Sequence, residues 1–336
     1  MIKNKTTLSS YTIAWLQIHF CVFLWGFTAV IGRVISLSAM ELVFWRMLLV
    51  AVLLMCLPRV WRGLNRLSRR LLLGFSGIGA LVALHWLAFY GSVKLANASV
   101  AATCMATLPI FMCFIEPLIT GRRFAAKELL LGVLILPGMA LVVGGTPAQM
   151  NLGIAVGVLS ALLAAVFSAF NKRLILQTDS LTATGLEMLS GMLVMLGIIL
   201  LLGLLPTGSG SDSAVLVTLD QLSRVPPRTD MLLLAVLALA CTLLPFALSL
   251  KAMRHLSAYA AVLAVNLEPI YAMVLAALLL DEQQELNASF YLGAAIILAV
   301  VFLYPIVTRK ERQWQEVSPQ TVASAVPQTM KTTPIQ

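Results

Sequence analysis

Charged residues are scarce in this chain: Asp, Glu, Lys and Arg make up 11% of 336 residues, against 60% hydrophobic. A soluble fold of that length needs more polar surface than so few charges supply. Histidine is nearly absent, with only His19, His85 and His255. There is no HExxH, no GxSxG and no close Asp or His dyad, so the usual means of hydrolysis and acyl transfer are missing. The chain does not read as an enzyme. The five cysteines (Cys21, Cys56, Cys104, Cys113 and Cys241) lie inside apolar runs, with no CxxC and no histidine at zinc-binding spacing. No metal and no other cofactor is expected. Cys104 and Cys113, nine residues apart on one predicted helix, are too far along its axis to form a disulfide.

What is abundant is apolar sequence in lengths suited to a bilayer core of about 30 Å. Predicted spans cover 12–32, 40–57, 71–93, 98–119, 128–145, 152–170, 182–204, 231–251, 257–280 and 285–306, which makes ten. The first is too long, and lacks the following small-residue site, to be a cleaved signal peptide. With the amino terminus placed inside, the inner segments hold 18 of the 23 Lys and Arg residues and the outer segments hold four, with Arg46 inside a span. That bias puts both termini in the cytoplasm of a multi-pass protein in the cell inner (plasma) membrane. The same alternation accounts for the net charge of +9 without a nucleic-acid partner. The long outer loop 205–230 is rich in Gly, Ser, Pro and Thr, and residues 307–336 read as a disordered cytoplasmic tail.

A shift of 160 residues lays Ala98, Ala101, Pro109, Ile110 and Leu118 on Ala258, Ala261, Pro269, Ile270 and Leu278. Lys94 then falls on Arg254. The shift places one proline at the centre of the fourth span and one at the centre of the ninth. The expected fold is thus all-α, with ten transmembrane helices in two inverted five-helix repeats, 1–150 and 151–306. An odd number of spans per repeat reverses the second half in the membrane, an architecture that puts a substrate site near the midplane between the halves. Fusion of both halves in one chain makes a monomer sufficient.

Further residues carry a likeness to a family: Trp25-Gly26 in the first span, Arg46 in the second, Leu267-Glu268-Pro269 in the ninth, Glu282 in LLLDE, and Gly293 in the last. In order and spacing these resemble the EamA-type ten-helix exporters of the drug/metabolite transporter superfamily. The resemblance implies a secondary transporter that exports small metabolites, amino acids or related compounds, by alternating access. Efflux of hydrophobic cations or drugs, and lipid-carrier flipping, are the alternatives. It also implies a central cavity lined by the first, third, fourth, sixth, eighth and ninth spans. Arg122 stands where the repeat would mirror Glu282, so the two halves differ there.

Depth selects the candidate site. Glu268 lies midway along its span, where a carboxylate is costly to keep, and is a candidate for substrate contact and for proton coupling. Glu187, about six residues from the inner end of the seventh span, is the other coupling candidate. Trp86 and Tyr90 share a helix face, with His85 beside it. With Trp25, Asn266 and Tyr271 they complete a predicted substrate site for a molecule with an apolar or aromatic body. Arg46 is expected to snorkel towards the outer surface or to meet a carbonyl. Lys94 and Arg254 are expected either to guide anionic groups or to end their helices. Gly153 and Gly157 form a GxxxG suited to close helix packing.

Overall fold

The computed structural model describes residues 9–121, 123–124, 126–203, 215–217, 219–256, 261, 264–265, 267–300 and 302–303. Among them there is helix and no strand. Four of the helices begin where a polar side chain holds the first free amides. Ser9 accepts from Thr12 N at 3.1 Å to start α1 (Ser10–Val34). Ser38 and Glu41 form a reciprocal capping box on α2 (Ala39–Met55). Pro58 then opens α3 (Pro58–Leu64), bent 91° from α2. Ser68 caps α4 (Arg69–Leu95) and Asn97 caps α5 (Ala98–Met105). There follow α6 (Leu108–Thr120), α7 (Ala126–Gly144), α8 (Asn151–Leu174) and α9 (Ser180–Gly203). After α10 (Leu219–Ser223) come α11 (Arg228–Ala238), α12 (Leu244–Ala252), α13 (Glu268–Leu280) and α14 (Ala288–Val300).

Six segments are long and apolar enough to cross a bilayer, and the bent pair α2–α3 makes a seventh if taken as one span. The other predicted spans correspond to shorter apolar helices, Leu129–Gly144, Glu268–Leu280 and Ala288–Val300. In the ninth, Leu267 breaks the helix, and Pro269 has no N–H to continue the ladder.

The fourth span breaks in the same way. Thr107 N bonds to Cys104 O and Ile110 N to Thr107 O at 3.0 Å each; Leu267 N bonds to Ala264 O and Ile270 N to Leu267 O at 3.1 Å each. The second pair is the first displaced by 160 residues. The symmetry extends to the ends of the two half-helices, where Gly121 (φ 75°) and Asp281 (φ 54°) both take the left-handed conformation. Glycine does so freely, and aspartate is among the few other residues that tolerate it.

Hydrogen bonds gather the turns into two groups. At one end, Lys94 Nζ donates to Ile35 O (2.5 Å), Ser36 Oγ to Asp230 (2.5 Å), Met40 N to Val215 O (3.0 Å) and Asn97 to Glu285 (3.0 Å). At the other, Arg254 donates to Ile175 O (3.1 Å) and Thr178 O, and Lys172 Nζ to Met253 O and Leu256 O at 2.6 Å each. Arg173 there reaches Ile119 O at 3.1 Å. Lys94 and Arg254 thus do equivalent work in the two halves. Each holds carbonyls at the finish of the long helix that opens its own half, α1 or α8. Both basic side chains are committed to helix ends.

Glu282 performs a similar service for α5. Its carboxylate accepts from Ala98 N (3.0 Å), Ser99 N (2.9 Å) and Ser99 Oγ (2.7 Å), and it is 2% exposed. Glu282→Ala would strand these buried donors at a cost of about 2 kcal/mol. A lower unfolding midpoint in detergent is expected, with a smaller loss for Glu282→Gln; an unchanged midpoint would show that α5 does not need this cap.

Close packing brings α8 onto α4 and α5. A Cβ at Gly153 would lie 2.7 Å from Ala96 Cβ, and one at Gly157 would lie 2.8 Å from Ser92 Oγ and 2.9 Å from Cys104 Cβ. The GxxxG is therefore a packing seam, as its spacing predicts.

Candidate functional site

Between the two halves lies a cavity of about 90 Å³, room for roughly six water-sized spheres and so for part or all of a small metabolite. Its walls are mostly apolar: Trp25 from α1, Trp86 and Phe89 from α4, Phe167 from α8 and Phe246 from α12. Met105 and Val265 border it as well. They are the residues four places before Pro109 and Pro269, whose missing N–H groups leave those two carbonyls without the regular helical donor. The broken spans thus bring irregular backbone to the cavity edge, where it is tolerated in a membrane.

Two ionisable side chains of opposite sign reach this cavity: Arg46, 2% exposed, and Glu268, 7% exposed. Arg46 does not snorkel. Its Nη1 donates to Tyr90 Oη at 2.7 Å, its Nη2 to Cys241 O at 3.3 Å, and its Nε to Thr242 Oγ1. The guanidinium lies over the Trp86 ring, 3.8 Å from its centroid. Three of its five N–H donors are spent, and two have no partner among the described residues. Of the two expected outcomes Arg46 takes the carbonyl partner, for a local cause. Pro245 has no N–H to offer the Cys241 carbonyl, and Leu239–Leu243 relaxes into a π-turn in which Thr242 Oγ1 bonds Leu237 O at 2.7 Å. The freed carbonyl and hydroxyl are what hold Arg46. A proline four residues after Cys241 was the sequence signal for this.

Glu268 opens α13 beside Pro269, at the break in the ninth span. Its carboxylate forms no ion pair among the described residues, so Arg46 lies more than 4.0 Å away. The cavity therefore presents a guanidinium and a carboxyl group that are not in contact with each other.

His85 also lines the cavity and is fixed to α8: Nδ1 lies 2.9 Å from Ser160 O and 2.8 Å from Ser160 Oγ, which itself donates to His85 O at 3.1 Å. With the Nδ1 proton directed at the Ser160 carbonyl, Nε2 remains an acceptor.

The predicted site residues divide. Trp25, His85, Trp86 and Glu268 border the cavity. Tyr90 stands behind it, holding Arg46 and filling the space that Gly32 leaves. Tyr271 lies instead on the seam between α13 and α1. Its ring packs edge-on to Phe23 at 5.6 Å, and a Cβ at Gly26 would come within 2.5 Å of its own Cβ. Asn266 lies outside the described residues. Glu187 does not line the cavity; it is fully buried behind Asn171, which does. Asn171, Ser168 and Ser249, all on the cavity wall, were not anticipated. Nothing in sequence alone separates them from the other small polar residues of the spans.

A larger hollow of about 660 Å³ lies between the start of α4 and the end of α8. Its charged members, Arg70 and Arg173, are exposed, and Leu73 beside them is 75% exposed. It brings no buried ionisable group to bear and so makes a poorer candidate.

The profile of a family described as the EamA-like transporter family matches residues 12–144 and 151–306. Among curated proteins, none is similar enough in sequence to match. A crystal structure titled only as that of a protein shares the fold, with a TM-score of 0.60 and 15% identity over 89% of this chain and 98% of the other. At that identity the likeness speaks for the fold alone.

Proposed function

The chain belongs to the EamA-like transporter family, and we propose that it is a secondary carrier of small zwitterions, exporting amino acids or closely related compounds. One observation carries the substrate class. Arg46 and Glu268 face a single cavity from opposite halves, more than 4.0 Å apart, with aromatic walls between and around them. A free amino acid brings a carboxylate for the two uncommitted N–H donors of Arg46 and an ammonium for Glu268. Its apolar side chain would lie among Trp25, Phe89 and Phe167. Paired in this way, neither charge stays uncompensated in the bilayer interior.

Ten crossings in two inverted halves, with both termini cytoplasmic, complete this reading. The two groups of turns, the broken fourth and ninth spans and the Lys/Arg bias support it. The cell inner membrane is the proposed location. In such a frame the halves rock about the cavity to expose it to either side. Efflux of hydrophobic cations is the weaker alternative. A guanidinium in the cavity wall repels a cation, and it already covers the Trp86 face on which a quaternary ammonium would otherwise settle.

Counterflow in proteoliposomes tests the proposal. Labelled apolar amino acid should exchange against the unlabelled compound. The corresponding amine and the deaminated acid, each lacking one charge, should compete at least roughly tenfold less well. Equal competition by all three would remove the zwitterion from consideration, and no exchange by folded protein would remove the amino acid.

A further inference from the structure

Glu187 is a buried carboxyl group that the substrate site does not use. It is 0% exposed, and Oε1 has no hydrogen-bond partner among the described residues. Oε2 has a single one, Asn171 Nδ2 at 3.5 Å, the long limit for such a bond. Asn171 is 0% exposed to the outside of the bundle, its own Oδ1 is unpartnered, and it forms part of the cavity wall. Two neighbouring side chains at the cavity wall thus each carry an acceptor oxygen without a donor among the described residues.

Among the described side chains no charge offsets them. Of the four helices packed most extensively against α9, α4 carries Arg69, Arg70, His85, Tyr90 and Lys94; α2 carries Glu41 and Arg46; α3 carries Arg59 and Arg62; α12 carries Lys251. None of these hydrogen bonds to Glu187 or comes within 4.0 Å as an ion pair. On the neighbouring α8, Lys172 is committed to Met253 O and Leu256 O. Packing is close here. A Cβ at Gly79 would lie 2.8 Å from Glu187 Cα, so α4 and α9 touch backbone to backbone there.

Position strengthens the case. Arg46 is eight residues after its helix cap Ser38, and Glu187 is eight residues after Asp179, which accepts from Thr182 N and Oγ1 at the start of α9. Each therefore lies about 12 Å along its helix from the cap. Those caps belong to opposite groups of turns, since Asp179 meets Arg59 after α2 while Ser38 precedes α2. The two halves thus place a fixed cation towards one end of the cavity and an ionisable acid towards the other.

We propose that Glu187 is the site at which this carrier binds its coupling proton. An unpaired carboxylate is far costlier than the neutral acid in such surroundings, so the packed state seen here holds the acid form. When the bundle opens beside Asn171, water reaches the group. The O–H bond then breaks, the proton passes to that water and the carboxylate stays behind, hydrated. The halves then reopen towards the opposite side, where return to the packed state requires a proton taken from the water of that side, and no other bond changes. Movement of the bundle is in this way tied to one proton per cycle.

The inference rests on the carrier reading, and the test separates the two. Wild-type exchange at equal pH on both sides reports the carrier alone. A gradient of one pH unit should then drive about tenfold accumulation of labelled amino acid for one coupled proton. Glu187→Gln should bring accumulation down to the equilibrium level while exchange persists; Glu268→Gln should lose both. If Glu187→Gln fails to fold, Glu187→Asp keeps a titratable group at a different reach and should accumulate with a shifted pH dependence. Accumulation by folded Glu187→Gln at the wild-type level would overturn the proposal. So would a sodium gradient replacing the proton gradient, loss of exchange together with accumulation in folded Glu187→Gln, or an Asp variant with the wild-type pH dependence. Absence of exchange in the wild type would instead count against the carrier.

Discussion

Arg46→Gln should cost this protein its recognition of the substrate carboxylate. Arg46 reaches the cavity from α2, and its donors are divided between a scaffold (Tyr90, Cys241 and Thr242) and the cavity itself. Glutamine fits the space but has no charge and only two N–H donors in place of five. Loss of a buried, hydrogen-bonded charge partner typically costs about 2–5 kcal/mol, or roughly 30-fold to several thousand-fold in affinity. The selectivity pattern matters more than the size of the loss. Wild-type protein should prefer the amino acid over the corresponding amine by a wide margin, and in Arg46→Gln that margin should shrink towards unity. Arg46→Lys should recover only part of it, because an ammonium is a point charge without the planar fork.

A gain is expected as well. Without the guanidinium the Trp86 face is uncovered and the nearest positive charge is gone, so a quaternary ammonium should bind Arg46→Gln better than wild type. Competition assays on purified, monodisperse protein give both readings at once. If the amine remains as poor a competitor against the variant as against wild type, Arg46 serves only to brace α2 against α12.

The all-helical, two-repeat membrane architecture was legible in the sequence because membranes constrain it so tightly. Long apolar runs and paired prolines report on the bilayer itself, and the bilayer admits few solutions. Glu268 stood out for the same reason, as a carboxylate midway along an apolar span. For Arg46 two outcomes stood open, snorkelling or a carbonyl partner, because its environment is made by a distant segment. The π-turn between α11 and α12, 195 residues away along the chain, supplies the carbonyl and keeps the guanidinium buried. Tyr271 packs on α1 and does not border the cavity, because helical spacing gives a face but not the neighbour, and Gly26 is what draws that face to α1. Glu282 had an assigned place and no assigned task. Its task became visible only when the amides of Ala98 and Ser99 were found beside it.

Glu268→Gln should produce the opposite change in selectivity to Arg46→Gln. The substitution keeps the shape of the side chain and an acceptor oxygen while removing the charge, so the fold has little reason to change. Glu268 has no ion-pair partner among the described residues whose loss would leave a second charge stranded. What is lost is the counter-charge for a substrate ammonium, again worth about 2–5 kcal/mol when buried. Arg46 then stands alone in the cavity as an uncompensated cation. The cavity should come to favour a simple monoanion: the deaminated acid ought to compete better than the amino acid, reversing the wild-type order. Amino-acid exchange should fall at least roughly 30-fold. If the variant merely transports more slowly with its order of preference intact, Glu268 acts on the motion of the broken ninth span and not on the substrate. A reversed order in Glu268→Gln alongside a collapsed amine discrimination in Arg46→Gln would place the two ends of one zwitterion on these two residues.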